Sequence, residues 1–155
     1  MKQTGSKFKG RSGFTLVEVI CVLVLVGIIA LVAIARVMST RDVDLATQLE
    51  VVKGHLRIAQ SKAMSAGSPW GINFNSSTTY YLFQGIGSTN PILLPGDNSA
   101  NNIVDLTAKN SALTITPPSS NPVTFDAYGS PGPNTITITT NGGSITITRN
   151  TGFIP

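Results

Sequence analysis

At 155 residues the chain has room for one modest globular domain. Its formal charge of +4 resides in the first thirteen residues, where Lys2, Lys7, Lys9 and Arg11 stand without an acid; from Phe14 onward seven basic residues balance seven acidic ones. Beyond Lys62 only Asp97, Asp105, Asp126, Lys109 and Arg149 are charged. The clustered Lys and Arg that displace counterions from a phosphate backbone are therefore missing, which argues against nucleic acid as a partner.

The first expected element begins at Phe14. Residues 14 to 35 read FTLVEVICVLVLVGIIALVAIA, with Glu18 the one charge. At about 1.5 Å per helical residue this run covers about 33 Å, the thickness of a bilayer core. The basic stretch before it fits an N-terminus held in the cytoplasm, with everything after Arg36 outside. A secretory signal peptide would end in small residues, whereas Arg36, Val37 and Met38 follow here. On these residues alone a plain single-pass anchor remains open. Cys21 has no intrachain partner, which excludes a disulfide framework, and is expected to be buried and inert. A carboxylate five residues into a membrane helix is costly, so Glu18 is expected to seek a cation or to reach water near the headgroups.

Beyond Arg36 the helical pattern becomes amphipathic. Leu45, Leu49, Val52, Leu56, Ala59 and Ala63 recur three or four residues apart, a single apolar stripe, until Gly67-Ser68-Pro69 stops it. The spacing predicts one helix to about Ala66, roughly 80 Å long. The remainder reads as strands. Trp70 to Phe74 alternates, Thr79 to Phe83 is rich in β-formers, and short segments are expected at Ile103 to Leu106, Leu113 to Thr116 and Val123 to Phe125. Thr135 to Thr140 and Ser144 to Arg149 alternate Ile and Thr around Asn141-Gly142-Gly143, a hairpin with one buried face. Asn90 to Asn102 and Pro117 to Pro122 are expected loops. The fold class is α+β: a long N-terminal helix packed on a small antiparallel β-sheet head.

The junction Ser12-Gly13-Phe14-Thr15-Leu16-Val17-Glu18 resembles the prepilin signature of the type IV pilin-like family. Gly27 also fits, whereas Ala35 stands where many major pilins carry a helix-bending proline, which points away from a major subunit. The run from Leu56 to Ala63 is similar to the late-helix segment of GspH/FimT-type minor pilins and pseudopilins. So is Phe125-Asp126-Ala127-Tyr128-Gly129, with its hairpin and the terminal Gly152-Phe153-Ile154. The resemblance implies a pilin-like fold and a structural subunit of a type IV pilus or type II secretion pseudopilus, not an enzyme. It implies a leader over 1–13, cleaved between Gly13 and Phe14 by a prepilin peptidase that also methylates the Phe14 amine. Residues 14–38 would then be the transmembrane half of the helix, and 39–155 the extracytoplasmic head with the helix's amphipathic half. The implied location is the bacterial inner membrane and then the filament. The implied partners are other pilin or pseudopilin subunits, the prepilin peptidase/methyltransferase and an inner-membrane assembly platform. Glu18 would meet the Phe14 amine of a neighbouring subunit during assembly. Some relatives bind DNA or surfaces, so a minor pilin acting in DNA uptake or attachment is the alternative.

Other chemistry is sparse. No nucleophile motif surrounds any serine, and no catalytic residue, cofactor or metal is expected. His55, the single histidine, is expected on the surface or facing another subunit. The loop from Asp97 to Asn102 is rich in oxygen ligands but lacks the spacing and closing glutamate of an EF-hand.

Overall fold

The computed structural model describes residues 15–87, 90–97, 99–109 and 111–155, and over 33–41 it describes the helix backbone only. The expected leader and both residues of the scissile bond, Gly13 and Phe14, lie outside the described residues. The chain divides into two units, residues 1–39 and 40–155.

Helix α1, Leu16–Ala66, runs through both. Within the first unit it starts on a side-chain cap: Thr15 Oγ1 accepts the Glu18 amide at 3.3 Å, and the Thr15 carbonyl accepts the Val19 amide at 3.2 Å. From Val19 to Val32 every described side chain is exposed, and all are apolar or small. Cys21, expected to be buried, is exposed with the rest, since among the described residues no side chain packs over this stretch of helix. Among the described residues no helix is long and apolar enough to cross a membrane. The expected span 14–38 runs past both ends of the described side chains.

In the second unit the helix is one-sided. Leu49, Val52, Leu56, Ala59 and Ala63 are buried, as their spacing predicts, while Asp42, Glu50, Arg57 and Ser61 stay exposed. The stripe covers an antiparallel β head, as expected, made of two sheets. The first has the order β3-β2-β1-β5, built from β1 Trp70–Phe74, β2 Thr79–Gln84, β3 Val104–Asp105 and β5 Val123–Phe125. The second has the order β4-β6-β7, built from β4 Ile115–Thr116, β6 Ile136–Thr140 and β7 Gly143–Ile147. Ile72, Leu82, Val123 and Phe125 of one sheet join Ile138, Ile145 and Ile147 of the other in one core with the helix. In the Ile/Thr hairpin, Ile136 faces Ile147 and Ile138 faces Ile145, so every isoleucine points inward and every threonine outward. The turn is Asn141-Gly142, with Gly143 already paired to Thr140. At Gly71 the backbone is so close that a Cβ would strike the Val123 carbonyl across the β1–β5 pair.

Candidate functional site

Two places in the molecule carry the residues singled out by sequence. The first is the start of α1. Glu18 occupies the third helical position after the Thr15 cap, the spacing of a capping box, and an acid in a first turn complements the helix dipole. The side chain is exposed, and no described cation pairs with it. The Thr15-x-x-Glu18 spacing is itself a helix-start signal in the sequence, so Glu18 has a local role besides the cation or headgroup water expected of it.

The second place lies late in α1, where three segments far apart in sequence meet. Gln60 Nε2 donates to the carbonyls of Gly129 at 2.9 Å, Gly152 at 3.0 Å and Thr151 at 3.3 Å. One turn earlier, Arg57 donates to the Ile154 carbonyl at 3.1 Å. Gly129 and Gly152 both sit at positive φ, +76° and +65°, where side chains are strained. A Cβ on Gly152 would also strike the Gly129 carbonyl and the Gln60 amide. The residues 125–129 loop is held from within, since Asp126 Oδ1 accepts the amides of Tyr128 and Ser130 at 2.9 Å each. Thus the late helix, the aromatic-flanked glycine loop and the C-terminal glycine form one joint. Its chemistry is hydrogen bonding between an amide and backbone carbonyls, which fastens and does not catalyse. Beside it an open groove of about 240 Å³ is lined by Pro69, Ile86, Thr124, Asp126 and Pro131 among others. With Asp126 engaged by its own loop, that groove presents no acid–base pair.

His55 departs from expectation. It is 6% exposed, and its Nδ1 lies 2.8 Å from the Tyr80 hydroxyl on β2. It sits three residues from Val52 and four from Ala59, so the periodicity that buries those residues buries it too. Burial holds the imidazole below its ordinary 6.5, opposed by the nearby Pro95 backbone carbonyl, an acceptor that favours the protonated ring. The Tyr80 phenol is pushed far up, mainly by burial, with the Asp97 charge adding. Asp97 is itself buried, accepts from Ser99 Oγ at 2.6 Å, and pairs with Lys109 at 3.4 Å. Among the described residues no three His, Cys, Asp or Glu side chains stand close enough to hold a metal ion. Asn98, within the oxygen-rich loop, lies outside the described residues.

Comparison with known proteins adds two matches. Residues 8–34 match the family model described as the prokaryotic N-terminal methylation motif. Residues 48–152 match the model described as type II transport protein GspH. No curated protein and no solved structure matches the chain. The second match takes in Gln60, Gly129 and Gly152, the three residues of the joint; the first takes in Gly13, Phe14 and Glu18.

Proposed function

Because the chain belongs to the family of the type II transport protein GspH, with a prokaryotic N-terminal methylation motif ahead of its head, we propose that it is a minor pilin or pseudopilin built into a filament or its tip. The observation that carries this reading is the N-terminal half of α1. A basic stretch and the Gly13-Phe14 junction precede a helix whose described side chains after Glu18 are apolar or small on every side. A helix apolar all round is stable only when surrounded by lipid or by other helices. A pilin supplies both in turn, the inner membrane before assembly and neighbouring subunits after it.

In this reading a prepilin peptidase cuts between Gly13 and Phe14 and the Phe14 amine is methylated. Residues 14–38 cross the inner membrane with the N-terminus cytoplasmic, and the head stands outside. The new amine belongs to the residue before Thr15 in sequence, four positions ahead of Glu18. In the filament Glu18 pairs with the amine of a neighbour, with the assembly platform bringing the two together. The partners are other pilin or pseudopilin subunits, and the head performs no catalysis.

Intact-mass measurement of protein recovered from native membranes tests the processing step. A mass corresponding to a chain that starts at Phe14 and carries a methyl group is expected. Retention of residues 1–13 in the presence of an active prepilin peptidase would overturn the reading. The head's charge beyond Lys62 is three acids against two bases. Binding to duplex DNA at physiological salt should accordingly be weaker than micromolar. Tighter binding with a steep salt dependence would favour the DNA-uptake alternative.

A further inference from the structure

The chain contains one Asn-Gly pair, Asn141-Gly142, and it forms the turn of the β6–β7 hairpin. Asparagine before glycine is the pair most prone to lose its side-chain amide, because glycine has no side chain to shield its own amide nitrogen. Asn141 is exposed, so burial does not protect it. Hydrogen bonds hold the reacting groups instead. Its Nδ2 donates to the Ala112 carbonyl at 2.8 Å, and its Oδ1 accepts the Thr114 amide at 2.9 Å. Its own backbone amide donates to the Thr114 carbonyl at 3.2 Å. The Gly142 amide donates to Thr140 Oγ1 at 3.1 Å, and that hydroxyl donates to the Gly143 carbonyl at 2.8 Å. The Asn141 side chain thus prolongs the β4–β6 pairing beyond Ile115 and Thr140 toward Ala112. We propose that Asn141-Gly142 is a deamidation site held shut by these bonds, so that reaction there permanently records an opening of the contact between residues 112–114 and the hairpin.

The chemistry shows what the bonds oppose. Hydroxide takes the proton of the Gly142 amide, and that nitrogen attacks Asn141 Cγ. A bond forms between the two, the Cγ–Nδ2 bond breaks, and Nδ2 leaves as ammonia with a proton returned by water. A second water opens the cyclic imide at either of its carbonyls, which leaves aspartate or isoaspartate. Nothing is oxidised or reduced. The Thr140 hydroxyl holds the proton that must leave Gly142. The bonds to Ala112 and Thr114 fix the side chain, so Cγ is not free to swing onto the Gly142 nitrogen. Leu113 and Ile115, both buried, keep the partner segment in place. Opening therefore precedes reaction, and the reactive fraction is the open fraction. Giving up the two side-chain bonds lowers that fraction roughly tenfold or more. An aspartate at 141 has no N–H to offer the Ala112 carbonyl, so that bond is not remade after reaction.

Incubating the untagged full chain in detergent micelles, in mildly alkaline buffer, tests the site. Peptide mass mapping with isoaspartate detection then counts the reaction at each asparagine. Asn75-Ser76, in the turn between β1 and β2, is the internal reference. In urea that unfolds the head, Asn141 should react fastest of all the asparagines. In the folded chain its rate should fall roughly tenfold or more. Thr140→Val keeps the shape of the side chain but removes the hydroxyl that engages Gly142. Folded Thr140→Val should deamidate several-fold faster at Asn141, with Asn75 unmoved. A rise at both positions means general loosening of the head and counts against the clamp. A folded rate equal to the rate in urea would overturn it, as would a folded rate that Thr140→Val leaves unchanged. If Thr140→Val does not fold, the comparison of folded and urea-unfolded chain without substitution decides.

Discussion

The two halves of α1 are equally helical and both rich in apolar residues, yet they solve opposite problems. From Leu45 to Ala63 the apolar residues recur every three or four positions, and the chain's own sheets cover them. From Val19 to Val32 apolar or small residues fill every face, and all of them are exposed among the described residues. One half is stabilised by its own fold, the other by whatever surrounds it. Period, more than hydrophobicity, tells the two apart: a stripe signals an internal partner, and a full cylinder signals lipid or other helices.

The sharpest way to break that contrast is at the junction before the first half. Replacing Gly13 with a bulky residue should abolish processing, leaving the full-length mass in native membranes, while Gly13→Ala should retain some cleavage. Glu18→Gln should leave cleavage and membrane localisation intact but strongly reduce incorporation into filaments, read by the shear fraction or by crosslinks to a neighbour's Phe14 end. Assembly at wild-type level would make Glu18 only the acid of its own capping box.

Within the head the expected effects are on stability. Leu56→Ala empties a fully buried site between helix and sheets and should cost about 2–5 kcal/mol, a clear drop in the melting temperature of the head. Leu23→Ala, a similar truncation at an exposed site, should leave that melting temperature unchanged. If Leu23→Ala destabilised the head as much as Leu56→Ala, the contrast between the halves would be wrong. Gly152→Ala should cost about 1–3 kcal/mol from its backbone conformation alone, with the collision against Gly129 and Gln60 adding to it. Gln60→Ala, which leaves three carbonyls without their shared donor, should cost about 1–3 kcal/mol. At the small end, Glu50→Ala breaks a surface pair with Lys53 and should leave thermal unfolding unchanged.

Much of this architecture can be read from local patterns. The helix stripe and its stop at Gly67 follow from spacing, because burial on a helix repeats with its turn. The Ile/Thr hairpin follows from alternation around a glycine turn, and its observed strands differ from the expected ones by a residue or two at their ends. Both are short-range features, in which each residue's environment is set by neighbours a few positions away. The junction at Gly13-Phe14 and the acid at Glu18 are likewise a local motif, legible without any tertiary contact.

Pairings between distant segments lay beyond such reading. Strand β1 pairs with β5 some fifty residues on, while β4 joins the hairpin in a second sheet; alternation marks a strand but says nothing of its partner. The amino-acid sequence by itself determined that this protein has a cylinder of apolar helix, a one-sided continuation of it, and a set of β strands ending in a hairpin. Only the tertiary structure decided that Gln60 ties Gly129 to Gly152, and that His55 lies buried against Tyr80. The physical reason is the range of the forces: propensity and periodicity act over one or two turns. A buried polar group is satisfied by whichever donor or acceptor the packed chain brings within about 3 Å.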